Sequence, residues 1–198
     1  MRIIIIGGNG TIGKQIAGAL QNEHEIIIAG RNAGDYSIDL NSSASIAAFY
    51  EKVQHFDALV CSAGPAHLAP VQELKEEHFR IGLEGKLLGQ INLVLIGQRY
   101  ISKGGSFTLT SGILAEEPIR QGIAATTVDG AVNAFVKAAA AELANDVRIN
   151  VVAPGVIDAS PHLHKFFPGY IPVSMSAVCA AYLKSILGVA NGQVIRAY

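Results

Sequence analysis

The sequence lacks the features that mark several large classes of protein. Its 198 residues include two cysteines and no tryptophan, and 15 Lys+Arg against 16 Asp+Glu leave a formal net charge of −1. Two cysteines cannot form a disulfide framework, so we expect a reducing compartment. A charge near zero excludes a protein that binds nucleic acid through a basic excess.

Long hydrophobic runs are also missing. No apolar stretch approaches the ~18–20 residues of a spanning helix. The isoleucines Ile3–Ile6 are followed at once by glycine, whereas a signal peptide carries an apolar stretch of ~7–15 residues. These absences predict a cytoplasmic protein with no membrane segment. Half of the residues are nonetheless hydrophobic, which indicates a large core, and the length predicts a single domain over residues 1–198.

Short apolar runs alternate with longer segments of helical spacing. The runs predict strands at Arg2–Ile6, Glu25–Ala29, Asp57–Cys61, Ser106–Thr110, Val147–Val152 and Gln193–Arg196, with a doubtful one at Ser37-Ile38. The helices are predicted at Thr11–Asn22, Ala44–Val53, Phe79–Ile101, Ala124–Ala144 and Ser174–Leu187. Strands joined through helices form a parallel sheet covered on both faces, so we expect a doubly wound, Rossmann-like α/β fold. Residues 157–172 hold three of the seven prolines and predict a long surface loop over the substrate.

A glycine-rich segment lies between the first predicted strand and the first predicted helix. Its residues are Gly7, Gly8, Asn9, Gly10, Thr11, Ile12 and Gly13. Glycines at this spacing permit a tight turn, close approach of backbone N–H groups to a diphosphate, and close contact between helix and strand. The free N–H groups of the helix N-terminus favour an anion. The pattern therefore predicts a dinucleotide site, the alternative being a plain strand-to-helix turn.

The end of the second strand bears on the choice of dinucleotide. An NAD site usually places Asp or Glu there to hold the ribose hydroxyls, but this chain has Arg31 and Asn32. A guanidinium suits a 2′-phosphate, so NADP(H) is the preferred cofactor and NAD(H) the lesser one. In the alternative, Arg31 is a solvated loop residue and Asp35 holds the ribose.

Several segments resemble the short-chain dehydrogenase/reductase family over nearly the whole chain. They are the glycine loop, Asp39-Leu40, Cys61-Ser62-Ala63-Gly64, the stretch from Ala139 to Gly155, and Gly192–Ile195. The resemblance implies that Asp39 and Leu40 contact the adenine and that Pro154 and Gly155 lie near the nicotinamide. It also implies a cofactor contact for the strand end Ser62, Ala63 and Gly64. A homodimer formed through the helices at about 79–101 and 124–144 is a further implication.

The family's catalytic residues are absent. Its chemistry usually rests on Asn, Ser and a Tyr-x-x-x-Lys pair, and no Tyr-x-x-x-Lys occurs in this chain. Alignment on the matched segments places Lys86 in the Asn position, Gly112 in the Ser position with Ser111 just before it, Ala125 in the Tyr position and Asp129 in the Lys position. We hypothesise that Lys86 and Asp129 form an ion pair in the former proton-relay space. The alternative is that each reaches solvent separately.

Two functions follow from this combination. The first is an atypical NADP(H)-dependent oxidoreductase acting on a carbonyl or alcohol, with Ser111, Lys86 and Asp129 as candidate catalytic residues. The second is a non-catalytic NADP(H)-binding sensor or partner module. The aromatic residues Phe166, Phe167 and Tyr170 favour the enzyme, because a binding module needs no lid.

The remaining candidates have ordinary explanations. His162 and His164 lack a third ligand, so we expect no metal site. Cys61 and Cys179 lie in apolar segments and are expected to be buried thiols.

Overall fold

Seven strands form one parallel sheet in the computed structural model, which describes all of residues 1–198. The strands are β1 (Arg2–Ile6), β2 (Glu25–Gly30), β3 (Tyr36–Ser37), β4 (Phe56–Cys61), β5 (Ile101–Thr110), β6 (Arg148–Pro154) and β7 (Val194–Ala197). Their order is β3-β2-β1-β4-β5-β6-β7, and every neighbouring pair is parallel. The predicted doubly wound α/β fold is confirmed. The doubtful strand is present as β3, one residue earlier than predicted at Ser37-Ile38.

Helices cover both faces of this sheet. They are α1 (Thr11–Leu20), α2 (Ser43–Val53), α3 (Glu76–Gly82), α4 (Gly89–Gly97), α5 (Ile123–Ala139), α6 (Pro161–His164) and α7 (Met175–Leu187). A π-helical segment, Leu83–Leu88, joins α3 to α4, and a 3₁₀ turn spans Ile113–Ala115. None of the helices is both long and apolar enough to traverse a lipid bilayer.

The helix predicted at 79–101 is wrong in its bounds and its continuity. Helical structure begins earlier, at Glu76, and ends at Gly97, while Ile101 already belongs to β5. Gly104 and Gly105, which lie between the predicted helix and the predicted strand Ser106–Thr110, are instead part of β5, where Gly104 adopts φ +73. The pairing with β4 jumps there from Phe56↔Ile101 to Ala58↔Ser106. A bulge thus absorbs the extra residues without ending the strand.

The helix predicted at 124–144 ends early, at Ala139. Its last residues form turns, in which the N–H groups of Glu142 and Leu143 both donate to the Ala139 carbonyl. Asn145 and Asp146 then adopt φ near +59 and +58, which only a turn accommodates.

The core lies on both sides of the sheet. Ile4 and Ile6 of β1 join one cluster of 21 buried residues, and Ile3 and Ile5 join another of 16 on the opposite face. The first cluster is closed by α2, α4 and α5, and the second by α1 and α7. A strand buried on both faces is a continuous apolar run, which explains the isoleucines of β1.

The strand order reverses between β1 and β4. β1 continues through a crossover to β2 on one side, and β4 lies on its other side with Ile6 paired to Cys61. A crevice opens beyond the carboxyl ends of the strands at such a reversal, which is where open α/β sheets bind ligands.

Candidate functional site

The glycine turn after β1 brings backbone segments into close contact. Gly7 adopts φ +80, and its N–H donates to the Ala29 carbonyl at 2.8 Å. A Cβ at Gly13 would overlap the Gly7 carbonyl oxygen and lie 2.6 Å from the Gly8 Cα. A Cβ at Gly8 would lie 2.8 Å from Cγ2 of Ile28 on β2. Only residues without a Cβ allow this approach.

Helix α1 begins directly after this turn with free donors. Gly10 is its N-cap and supplies no side-chain cap, and the first turn holds no acidic residue. The backbone N–H groups of Thr11, Ile12 and Gly13 have no acceptor, since the first helical bond runs from Lys14 to Gly10 at 3.0 Å. Asn9 is exposed beside them. Unpaired N–H groups at a helix N-terminus fit the diphosphate of a dinucleotide.

A cavity of about 320 Å³, which we call the nucleotide cleft, lies beside the turn. Among the residues expected to bind the cofactor, those that line it are Gly7, Arg31, Asn32, Leu40, Ala63 and Gly64. The structure therefore assembles the glycine turn and the ends of β2 and β4 around one space.

Other expected cofactor residues lie outside the lining of this cleft. The Ser62 hydroxyl donates to the Ile6 carbonyl at 3.2 Å and so supports the turn from behind. Pro154 ends β6, and the N–H of Gly155 donates to the Ala197 carbonyl at 2.9 Å. Their expected place near the nicotinamide stays a prediction.

Two carboxylates near the cleft, Asp39 and Asp35, have different hydrogen-bond partners. The Arg31 guanidinium lies 3.4 Å from Oδ1 of Asp39, and both side chains are largely exposed. Asp35, in contrast, is used by its own loop: its carboxylate accepts from the Ile28 N–H at 2.8 Å, and its N–H donates to the Ile28 carbonyl at 2.7 Å. Arg31, paired with Asp39, is therefore the charged residue that lines the cleft, whereas the Asp35 carboxylate is hydrogen-bonded within its own loop.

Lys86 and Asp129 form a buried ion pair. Nζ of Lys86 lies 2.6 Å from Oδ1 of Asp129 and donates to the Ser111 carbonyl at 3.1 Å. The two side chains are 11% and 5% exposed. The predicted ion pair is confirmed, and separate solvation of the two residues is excluded. Lys86 belongs to the π-helical segment, a local distortion that often marks functional positions in helices.

Three residues without polar side-chain atoms, Gly112, Gly64 and Ala125, lie next to this pair. A Cβ at Gly112 would lie 2.7 Å from Oδ2 of Asp129, so the carboxylate occupies the space that a side chain at 112 would need. Gly64, with φ +143, packs so closely that a Cβ would lie 2.7 Å from Cγ of Lys86. Ala125 is buried and offers no polar atom.

Ser111 contributes through its backbone rather than its hydroxyl. Its N–H donates to the Val152 carbonyl at 3.0 Å, and its carbonyl accepts from Lys86. The Oγ is buried and has no hydrogen-bond partner. No base lies in contact to activate it.

Two supporting residues escaped the sequence analysis. Gln90 is fully buried and holds Thr110 by both backbone groups, accepting from its N–H at 2.7 Å and donating to its carbonyl at 2.9 Å. Tyr182 of α7 shares a 2.6 Å hydrogen bond with the Thr110 hydroxyl. Gln90 could have been found as a polar residue four places after Lys86 on the same helical face, whereas Tyr182 gave no signal.

The only fully buried tyrosines are unsuited to proton transfer. Burial raises the pKa of Tyr182 well above its usual value, since the phenolate would lose its hydration. The same cause, with a smaller contribution from Cys61, raises the pKa of Tyr50.

An imidazole pair, also not anticipated, adjoins the ion pair. The rings of His67 and His78 stack with centroids 4.3 Å apart. Both line a small cavity that has no room for a water molecule and whose other polar residues are Lys86 and Asp129. His78 Nδ1 accepts the Lys75 N–H at 3.1 Å, which fixes its orientation.

The predicted surface loop at 157–172 carries aromatic residues toward the same region. It contains one helical turn, α6, and the rings of Phe167 and Tyr170 meet edge to face at 5.5 Å. Both pack on the cluster formed by Ile113, Leu114 and Ala125.

The histidines of this loop have structural contacts. Nε2 of His164 hydrogen-bonds the Ile157 carbonyl at 2.9 Å, and His162 is exposed. No group of three or more His, Cys, Asp or Glu side chains is placed to hold a metal ion anywhere in the chain.

Known proteins match this chain over most of its length. A family model described as enoyl-(acyl carrier protein) reductase matches residues 10–168. The chain belongs to the short-chain dehydrogenase/reductase family. Among solved structures, protein lin1944 from Listeria innocua is 42% identical, with a TM-score of 0.98 and 100% of both chains covered.

Two further relatives of this short-chain dehydrogenase/reductase protein carry informative descriptions. A small-chain dehydrogenase solved in complex with NADPH is 26% identical, with a TM-score of 0.89 over 99% of this chain and 95% of that one. An uncharacterized oxidoreductase of Methylorubrum extorquens is 29% identical over 146 residues, or 71% of this chain. The matched segment spans 59% of the length of that curated relative.

Proposed function

We propose that this protein is an NADP(H)-dependent oxidoreductase that interconverts a carbonyl compound and an alcohol. The observation that carries the proposal is the glycine turn, which lines the nucleotide cleft through Gly7 and leads into three unpaired N–H groups at the start of α1. A bound nicotinamide coenzyme supplies or accepts the hydride equivalent. The residues of this chain bind the coenzyme, exclude water and supply the proton. The NADPH complex of a 26% identical relative supports the same class of cofactor.

The preference for NADP(H) over NAD(H) rests on Arg31. Its guanidinium lines the cleft at the end of β2 and is 66% exposed, so it is available to a 2′-phosphate. The only carboxylate in contact with it is Asp39, at 3.4 Å. Asp35, the alternative ribose ligand, has its carboxylate on the Ile28 N–H.

The loop at 157–172 supports an enzyme rather than a binding module. Phe167 and Tyr170 pack against the cluster around Ala125, within the region where the family places its catalytic tyrosine. An aromatic cover at that position shields a reaction from water.

We also propose that the protein acts as a homodimer in the cytoplasm. Leu88 and Leu95 are about half exposed, and a groove of about 290 Å³ runs between α4 and α5, lined by Val94, Phe135 and Leu143 among others. Apolar surface on these two helices suits a twofold contact between copies of the chain. Both cysteines are free, which fits a reducing compartment.

A non-catalytic NADP(H) sensor is the second candidate, and one observation favours it. The Lys86–Asp129 pair fills the space around Gly112 and Ala125, and neither of those residues carries a hydroxyl. Such a protein would bind the coenzyme and leave carbonyl compounds unchanged.

Two measurements test these proposals. Titration of the protein with NADPH and NADH, followed by fluorescence, is expected to show binding of both with NADPH the tighter. Incubation of the NADPH-loaded protein with a panel of aldehydes and ketones is expected to consume NADPH, as measured by absorbance. Failure to bind either nucleotide would refute both candidates, and binding without turnover would select the sensor.

A further inference from the structure

We propose that Lys86 is the proton donor to the substrate oxygen and that Asp129 is the residue that positions it. This proposal rests on the proposed oxidoreductase function. It assigns to a lysine on the π-helical segment a task for which the family uses a tyrosine on the neighbouring helix.

The hydrogen bonds of the Lys86 ammonium leave one donor free. An ammonium carries three N–H groups. Lys86 gives one to Oδ1 of Asp129 at 2.6 Å and one to the Ser111 carbonyl at 3.1 Å. No third acceptor contacts Nζ in the structure, so the remaining N–H has no partner within the protein.

Lys86 also lies at the boundary between its own small cavity and the nucleotide cleft. Gly64 and Gly85 line the cleft, and Gly64 packs directly on the Lys86 side chain. Pro65 lines both spaces. Lys86 therefore lies behind the residues that separate its cavity from the cleft, on the side where a substrate would lie next to the coenzyme.

The other possible donors around the site are occupied or unsuitable. The Thr110 hydroxyl is shared with Tyr182 and the Cys61 carbonyl. Burial and, to a lesser extent, Glu117 raise the pKa of Tyr170, which makes its phenol a weaker acid. The Ser111 hydroxyl has no base beside it.

A bound nicotinamide coenzyme would supply the hydride equivalent to the carbonyl carbon. As the electron pair of the C=O π bond moves to oxygen, that oxygen would take a proton from Nζ of Lys86. Lys86 is left as a neutral amine and regains its proton from water. His67 and His78 are the other titratable groups lining this cavity, and they lie on the β4–α3 connection and on α3.

Kinetics of Lys86 variants test the assignment. With the panel carbonyl that the wild type reduces fastest, Lys86→Met is expected to lower kcat about 100-fold or more, which is typical of the loss of a general acid. The dissociation constant of NADPH should stay within about twofold. Lys86→Arg retains the charge and should retain more activity than Lys86→Met. Lys184→Met, on the exposed side of α7, is the matched control and should match the wild type.

Two further variants separate catalysis from folding. Lys86→Met leaves the Asp129 carboxylate buried without a partner. The double variant Lys86→Met/Asp129→Leu removes both charges, so it should fold, and its kcat should fall as far as that of Lys86→Met. Asp129→Asn keeps a polar side chain near Lys86. It should lower kcat about tenfold or more with KM little changed, because the lysine is misplaced at the chemical step.

A measurement without coenzyme checks the state of Lys86 directly. In the ¹⁵N-lysine NMR spectrum of the free protein, we expect one ammonium signal slowed in exchange by its two acceptors, absent in Lys86→Met and shifted in Asp129→Asn. Turnover that survives in the double variant would overturn the assignment of Lys86 and leave the oxidoreductase standing. Lack of turnover by the NADPH-loaded wild type on every panel compound would overturn both.

Discussion

The nucleotide cleft and the Lys86–Asp129 centre lie side by side but are built differently. The cleft is shaped by backbone, through glycines at 7, 8 and 13 that let α1 approach β1 and leave N–H groups free. The centre joins two side chains, Lys86 on the π-helical segment and Asp129 on α5, to the backbone carbonyl of Ser111 just after β5. A backbone cradle tolerates no change at its glycines, whereas a cluster of side chains can be replaced as a set.

The replacement at the centre is coupled for a steric and an electrostatic reason. Asp129 Oδ2 occupies the space beside the Gly112 Cα, and Asp129 Oδ1 neutralises the buried Lys86. Lys86, Asp129 and Gly112 therefore depend on one another, since changing one leaves a charge unpaired or a side chain without space. The first three predictions below probe this difference in construction, and the last two probe the surroundings of each region.

Removal of the buried counter-ion should give the largest effect. Asp129→Ala leaves the Lys86 ammonium buried without its partner, and we expect a loss of about 3–5 kcal/mol in the free energy of unfolding, measured in urea. The exposed Lys103–Asp146 pair, at 3.7 Å, is the control. Lys103→Ala should cause no measurable loss. Equal effects of the two substitutions would mean that the Lys86 pair is solvated.

Substitution in the glycine turn should destabilise the fold and abolish binding. Gly13→Ala forces a methyl group into the Gly7 carbonyl, and we expect a loss of about 3 kcal/mol with no detectable NADPH binding by fluorescence. Gly18→Ala lies on the same helix with no atom near its added Cβ. It should instead stabilise the protein by about 0.5–1 kcal/mol. A Gly13→Ala protein with wild-type affinity would contradict the cradle described above.

The steric coupling of Gly112 and Asp129 should appear as non-additivity. Gly112→Ser alone is expected to cost about 1–3 kcal/mol, because its Cβ meets Oδ2 of Asp129. In the Asp129→Ala background the same change should cost less, which a double-mutant cycle in urea measures. Additive costs would show that the two positions do not compete for space.

A substitution at the rim of the cleft should change the relative affinity for NADPH and NADH and leave stability unchanged. Arg31→Ala is expected to weaken NADPH binding roughly tenfold, through loss of a charged hydrogen bond to the 2′-phosphate. NADH affinity and thermal stability should be unchanged, since Arg31 is largely exposed. An equal loss for both coenzymes would assign Arg31 to the diphosphate or to folding instead.

The smallest effect is expected in the reactivity of the Cys61 thiol, at the end of β4. Burial raises the pKa of its thiol to about 11, so only a small fraction is thiolate at pH 8. We expect iodoacetamide to label Cys61 in the native protein far more slowly than in urea, with the rate rising with pH toward about 11. Burial also raises the pKa of Cys179, so that residue should be slow as well. Fast labelling of native Cys61 at pH 8 would mean that the structure around the end of β4 opens readily.

Local patterns were sufficient for the nucleotide half of the molecule. The isoleucine run of β1, the glycine spacing and the helical period of α1 act over neighbouring residues. They predicted the strand and the turn correctly, and the helix with an end two residues too late, at Asn22 instead of Leu20. The same patterns failed at the bounds of the helix predicted at 79–101. Tertiary pairing decides there, since the bulge at Gly104 lets β5 begin beside β4 five residues before Ser106.

The reaction centre was within reach of sequence reasoning only in part. Alignment placed Lys86 and Asp129 on facing positions. It gave neither the hydrogen bonds that join Lys86 to the Ser111 carbonyl and Gln90 to Thr110 nor the stacking of His67 on His78. Short-range sequence sets periodicity and backbone freedom, which is why it predicts elements and a glycine cradle. Hydrogen bonds that join residues separated by 20 to 77 positions in the sequence form only when the helices and strands pack together. That packing is a property of the folded chain as a whole.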